Sequence, residues 1–147
     1  MASRTRTNQR TAVADALHSA AIHLLRGVRK EDARTGVGPA RLSALSVLVF
    51  AGPMRLTELA RIEQVRPPTM TKVVAGLEAA GLVRRRADAG DARAVRLEAT
   101  ARGTKLLLEG RRRRVARLAS ALQPLTFDEL DVLARAAALV ESVSATI

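Results

Sequence analysis

The sequence predicts a mainly α chain interrupted once by a two-stranded β-hairpin. Three observations predict it. Apolar residues recur with helical spacing over most of the 147 residues, the period changes to two only after Gly81, and Gly or Pro punctuation separates the segments.

The elements follow in order. From about Ala12 to Lys30, Val13, Leu17, Ala21, Leu24 and Val28 form one stripe of a long amphipathic helix, broken by GVGP at 36–39. Leu42, Leu45, Ser46, Leu48, Val49 and Phe50 belong to a more apolar second helix stopped by Gly52-Pro53. Thr57 stands where an N-cap belongs, with Glu58 in the first turn and Leu59 and Ile62 facing inward; this short helix ends near Gln64. The stretch VRPPTMTKVVAGLEAAGL opens the next helix on Pro67, whose fixed φ and missing N–H suit a first helical position. Gly81 closes it in the left-handed manner of a helix C-terminus.

That fourth helix is unusual in its faces. Met70, Val73, Val74 and Leu77 make one apolar stripe, while the opposite side carries Pro68, Lys72, Ala75 and Ala79, flanked by Thr69, Thr71 and Gly76. A solvated helix would carry Glu and Lys there. A thin face suits close approach to a groove. LVRRRA and RAVRLEA then alternate apolar and basic residues around DAGDA, a hairpin with Gly90 at its tip and Arg84, Arg85, Arg86, Arg93 and Arg96 projecting. A charged ribbon can also serve only to block edge pairing. Directly after helix, turn and thin-faced helix, it completes a winged helix-turn-helix: the second helix of the pair enters the major groove, and the wing tracks flanking backbone or minor groove.

The last third is helical again. From about Ala101 to Gln123, Leu108, Val115 and Leu122 repeat every seven residues, interleaved with Leu107, Leu118 and the stem of Arg111; Pro124 stops the helix. Thr126 and Glu129 form a capping box, with Leu125 and Leu130 at the staple positions. The final helix runs from Phe127 to about Ser142 with Leu130, Leu133, Ala137 and Val140 facing inward. These stripes exceed what one small winged region covers, so the terminal helices are expected to cover each other in a dimer.

Composition narrows the function classes. The net charge of +11 exceeds what solubility needs and fits a nucleic-acid partner, although Arg-rich chains also bind membranes and acidic proteins. The absence of cysteine excludes disulfides and thiolate chemistry within this chain. No apolar run reaches membrane-spanning length and MASRTRTNQR lacks an apolar signal core, so a cytoplasmic, nucleoid-associated protein is expected. No nucleophilic triad, paired inward carboxylates or glycine-rich phosphate loop is present, so no enzyme and no cofactor are expected. Asp15 and His18 lie one turn apart but His23 is off their face, which favours a polar interface or cleft role over a metal site. RNA recognition normally needs stacking aromatics, and only Phe50 and Phe127 occur, both at apolar positions.

The block from Leu56 to Gly103, LTELARIEQVRPPTMTKVVAGLEAAGLVRRRADAGDARAVRLEATARG, resembles the multiple antibiotic resistance regulator (MarR) family. The matching residues are Leu77-Glu78, Gly81-Leu82-Val83, Arg85, Asp88, Asp91, Arg93, Thr100 and Gly103. The resemblance implies one domain over 1–147, with a winged region at about 40–100 and helical dimerisation regions at about 8–35 and 101–147. It implies a homodimer on pseudo-palindromic double-stranded DNA, usually a repressor, with effectors bound in a cleft between the two regions. Three positions depart from the family pattern: Ala92 replaces the first wing Arg and leaves Arg93 alone, Arg66 replaces a capping Ser or Asp, and Ala99 replaces a Leu.

The expected DNA-contacting residues are Arg66, Pro68, Thr69, Thr71, Lys72, Arg84, Arg86 and Arg93. Thr69 and Thr71 can reach a base edge or phosphate, or be first-turn polar residues only; the arginines chiefly hold phosphates. Leu17, Leu24, Leu118, Leu122, Leu130, Leu133 and Val140 are the expected dimer contacts. His18, Arg111 and Arg114 are candidates for an effector cleft taking a small anionic or aromatic ligand, although four consecutive arginines (111–114) must spread round a helix and most are solvated or paired with Glu109. The alternative function is a non-sensing architectural DNA-binding protein, or an activator on the same fold.

Overall fold

The computed structural model describes residues 2–30, 32–88 and 94–146, the side chains of 2–7 and 33 excepted. Its helices are α1 (Ala2–Arg29), α2 (Pro39–Phe50), α3 (Leu56–Ile62), α4 (Pro67–Ala79), α5 (Ala101–Leu122) and α6 (Phe127–Ser144), with strands β1 (Val83–Ala87) and β2 (Val95–Ala99) between α4 and α5. A short 3₁₀ turn at Asp32–Thr35, not anticipated from the sequence, follows α1. The chain forms two compact units, residues 1–114 and 115–147, whose boundary falls within α5.

In the first unit the core is assembled from α2, α3, α4, the hairpin and the start of α5. Leu45, Leu59, Met70, Val74, Leu77, Leu82 and Leu97 are completely enclosed. Burying side chains of this size contributes roughly 1.5–3 kcal/mol each, and the residues come from every element around the hairpin base. The strands pair antiparallel with Val83 opposite Ala99 and Arg85 opposite Leu97. Met54 adds a bridge outside β2, its N–H donating to the Leu97 carbonyl at 3.2 Å and its carbonyl accepting the Leu97 N–H at 2.8 Å.

The T-x-x-G segment joins this core to α5. Thr100 Oγ1 donates to the Gly81 carbonyl at 2.8 Å and accepts the Gly103 N–H at 3.0 Å, while the Thr100 N–H donates to the Leu82 carbonyl at 3.0 Å. A Cβ at Gly103 would lie 2.2 Å from the Leu82 carbonyl oxygen. Only glycine allows α5 so close to the end of α4.

Four expectations for the first unit are corrected. The first helix begins at Ala2, not near Ala12. The N-cap of α3 is Arg55, with no side-chain cap, and Thr57 is the second helical residue. Ile62 is 40% exposed rather than inward, because α3 ends there and the chain turns away. Val73 is only half-buried, at the edge of the α4 stripe.

α1 of the first unit leaves Val13, Leu17, Ile22, Leu24 and Leu25 exposed. In the second unit α6 starts on the expected capping box: Thr126 Oγ1 accepts the Glu129 N–H at 3.3 Å, and Glu129 Oε2 accepts the Thr126 N–H at 2.8 Å. These bonds hold the Glu129 carboxyl below its usual range, the backbone N–H having the larger effect. Contrary to the inward placement expected for Leu130, Leu133, Ala137 and Val140, no α6 residue is buried: Leu133, Ala137 and Val140 are exposed and Leu130 is half-buried, as are Leu118 and Leu122 of α5. Leu125, Val132 and Leu133 line an open apolar hollow of about 380 Å³.

Candidate nucleic-acid interface

The α3–turn–α4 unit is set by backbone capping at both ends. Gln64 takes a left-handed conformation (φ 54°) just after α3, and the Val65 N–H closes back on the Ala60 carbonyl at 3.0 Å. At the far end of α4, Gly81 (φ 68°) donates its N–H to Glu78 at 2.8 Å and Leu82 donates to Leu77 at 2.9 Å, the paired bonds of a Schellman motif.

Arg66 is the N-cap of α4 and makes no side-chain cap. The loss of a capping oxygen costs little here, for a physical reason. A cap side chain accepts from the second or third helical N–H; Pro67 and Pro68 have none, and the Thr69 N–H already donates to the Arg66 carbonyl at 3.0 Å. The same prolines leave the helix start without the amide donors that commonly grip a phosphate. An anion at this end must be met by a side chain, and Arg66 is exposed there.

The two faces of α4 separate as expected. Met70, Val74 and Leu77 are buried; Pro68, Thr69, Thr71, Lys72, Ala75 and Ala79 are exposed. The Thr71 hydroxyl donates to the Pro67 carbonyl at 2.9 Å, so towards a partner it offers lone pairs and a methyl group. No ion pair holds Lys72 or Arg66 among the described residues. Gly76 gives room for the Arg41 guanidinium of α2, 2.4 Å from where a Cβ would stand.

Hairpin arginines fall into two sets by what their side chains bind. Arg85 shares the face of Val83 and pairs with Glu78 of α4, Nε to Oε1 at 2.9 Å, tying the wing to the helix. Arg96 donates to Asp88 at 2.7 Å and to the Pro53 carbonyl at 3.1 Å, and the Asp88 hydrogen bond and charge hold its guanidinium above its ordinary pKa. These two fix the ribbon. Arg84 and Arg86 lie on the face opposite Arg85, with Arg96 directly across from Arg86; both are exposed, with Glu98 between them. Sequence reading missed that Glu78 and Glu98 occupy arginines; the strand register offered a signal for Glu98 alone, across from Arg84. Arg93 lies outside the described residues.

The three cleft candidates are not gathered at one place. Arg114 ion-pairs with Asp32 and, with Arg29, Leu42, Ser43 and Leu107, lines a cavity of about 290 Å³. Arg111 faces a separate open groove beside Lys105, Leu108 and Arg112. His18 is exposed on α1 and lines neither. Among the described residues no group of three His, Cys, Asp or Glu converges on a metal position, and no helix is long and apolar enough to cross a membrane.

Known proteins share this arrangement. The sequence profile of the MarR family matches residues 39–95. An HTH-type transcriptional regulator of Mycobacterium leprae is 36% identical over 128 residues, covering 87% of this chain and 90% of that protein. A MarR family protein from Bacillus stearothermophilus shares the fold with a TM-score of 0.82 at 22% identity, over 94% of this chain and 96% of that one. NadR, in complex with 4-hydroxyphenylacetate, shares it with a TM-score of 0.62 at 24% identity, over 87% of this chain and 91% of that one. With the α3–turn–α4 unit, the basic hairpin and these matches together, the chain belongs to the MarR family of DNA-binding transcriptional regulators.

Proposed function

We propose that the protein is a homodimeric repressor that reads a pseudo-palindromic operator with α4 and leaves it when a small aromatic or anionic effector binds. The observation that carries this reading is α4 itself. Its bulk is locked in the core, while its opposite face presents only Pro68, Thr69, Thr71, Lys72 and small residues. Thr69, Thr71 and Lys72 meet base edges; Arg66, Arg84, Arg86 and Arg93 hold the phosphates on either side. Pro68 sets the helix start at the groove without an N–H left unpaired.

The dimer reading rests on uncovered apolar surface. Leu17 and Leu24 on α1, and Leu133 and Val140 on α6, remain exposed, with Leu118, Leu122 and Leu130 half covered. A second copy removes this surface from water, and its two-fold symmetry supplies the second half-site reader.

The effector reading rests on the cavity at Arg114. Its volume of about 290 Å³ is near the low end for ligand sites and suits one aromatic ring. A ligand carboxylate can replace Asp32 on Arg114; the aromatic acid bound by NadR is of this chemical type. His18 and Arg111 contribute only if the second copy brings them near. The whole reading places the protein in the cytoplasm, on the nucleoid. The test is a footprint on DNA beside its own gene, with and without a panel of aromatic carboxylates. Protection lost on adding an acid is the expected result. Protection unmoved by every compound favours the architectural or activator alternative, and no protected site at all removes the repressor reading.

A further inference from the structure

The outer face of the hairpin holds an anion where a phosphate-reading surface gains from none. Glu98 stands directly across from Arg84 in the strand register. Its Oε2 accepts from Arg84 Nε at 3.0 Å and lies 2.9 Å from Arg84 Nη2; its Oε1 lies 3.9 Å from Arg86 Nη1. The Glu98 side chain is 22% exposed, against 61% for Arg84 and 70% for Arg86, so the carboxylate sits down between two outward arginines. Folding makes little use of it. The hairpin is already anchored by Val83 and Leu97, the Met54 bridge, and the Arg85–Glu78 and Arg96–Asp88 pairs, and an exposed ion pair adds little to these.

We propose that Glu98 is a built-in competitor for DNA phosphate that sets how strongly the wing holds any duplex. This rests on the reading of the hairpin as a backbone-contacting element. In the free protein the carboxylate occupies Arg84 and partly neutralises Arg86. A phosphate reaching Arg84 must displace Glu98 or share the guanidinium with it, and in both cases the wing acts with about one positive charge fewer per subunit. Backbone attraction is common to all sequences, so Glu98 lowers absolute affinity and leaves the ratio of cognate to scrambled binding unchanged. The consequence is a regulator that leaves non-specific DNA sooner and is released from its operator by a smaller perturbation.

The experiment is a salt titration by fluorescence anisotropy, on an operator-containing duplex and a random-sequence duplex, with melting curves confirming that each variant is folded. Glu98→Gln keeps side-chain size and removes the charge. It is expected to tighten both duplexes about fivefold per subunit at about 0.15 M salt, and to steepen log affinity against log salt by about 0.9 per subunit, the values for one more neutralised phosphate. Arg84→Ala is expected to weaken both and flatten the slope, and the double variant to lose most of the Glu98→Gln gain. Unchanged or weaker binding by Glu98→Gln, with Arg84→Ala still weakening it, overturns the competitor role and makes Glu98 at most a positioning residue for Arg84. An Arg84→Ala variant that binds like the parent overturns the reading of the wing, and this proposal with it.

Discussion

Replacing Gly103 by alanine tests the joint between the DNA-reading unit and the long fifth helix. In an ordinary helix interior this change adds stability, about 1 kcal/mol, because alanine orders at a smaller entropic cost. Here the new Cβ would stand 2.2 Å from the Leu82 carbonyl oxygen, 3.0 Å from its carbonyl carbon and 3.1 Å from Leu45 Cδ1. The first two atoms are backbone held in the turn after α4 and cannot rotate away. Relief requires α5 to withdraw by roughly an ångström, which strains the Thr100 bonds to Gly81 and Leu82 and loosens Leu107 in the core. Overpacking of this kind costs about 1–3 kcal/mol, and each weakened hydrogen bond adds about 1 kcal/mol. After subtracting the helical gain, a net loss of roughly 2–4 kcal/mol remains. The measurement is a urea or thermal midpoint at fixed protein concentration, since the proposed dimerisation would make stability concentration-dependent. A fall of roughly 5–10 °C is expected. Gly110→Ala is the control, because its Cβ would meet only side-chain atoms, the nearest at 3.4 Å, and should leave the midpoint unchanged or raised. A Gly103→Ala protein as stable as the parent would refute the close approach of α5 to the α4 turn.

Three further outcomes follow from the same geometry. Leu133→Glu should place a charge in the proposed dimer contact and cost several kcal/mol of association, at about the scale of burying an unpaired charge; light scattering showing an unaffected dimer would remove Leu133 from the interface. Arg66→Ala should lower the salt slope by about one per subunit on every duplex, because the proline-led helix start has no amide to take over its phosphate. The capping box should fail on acidification: the Glu129 carboxyl titrates below its usual range when folded, so its contribution is full above the ordinary glutamate value and is lost as pH falls through the depressed one. A Glu129→Gln variant should therefore show a smaller acid-induced drop in melting temperature than the parent.

Much of this fold is legible in single residues. Gly81 and the Thr126–Glu129 pair mark helix ends because the residue types and their spacing supply the bonds unaided. The thin face of α4 is legible because periodicity alone separates Met70, Val74 and Leu77 from Pro68 and Lys72. What was hidden depended on tertiary partners or on backbone states without a residue signal. Gln64 takes a left-handed position that glycine usually fills, so the backbone state that closes α3 carried no residue signal. Arg55 caps α3 without a capping oxygen, which drew the expectation towards Thr57 instead. The start of α1, ASRTRTNQR, has no apolar stripe, so its helix left no periodic trace. The ion pairs were the least visible: Arg114 finds Asp32 across 82 residues, and Glu78 reaches Arg85 only because a turn brings them together.

The most direct test of the central claim is a selection from a random duplex pool, run in parallel with the parent protein and with Thr71→Val. The substitution keeps side-chain size while removing the hydroxyl that donates to Pro67 and leaves lone pairs facing out. The parent is expected to recover an inverted repeat with half-sites about one helical turn, roughly 10 bp, apart. The variant should recover the same repeat with its preference relaxed at one position in each half, a loss of about 1–3 kcal/mol there and nowhere else. A parent pool without a repeat, or identical preferences for the two proteins, would contradict base reading through this face of α4.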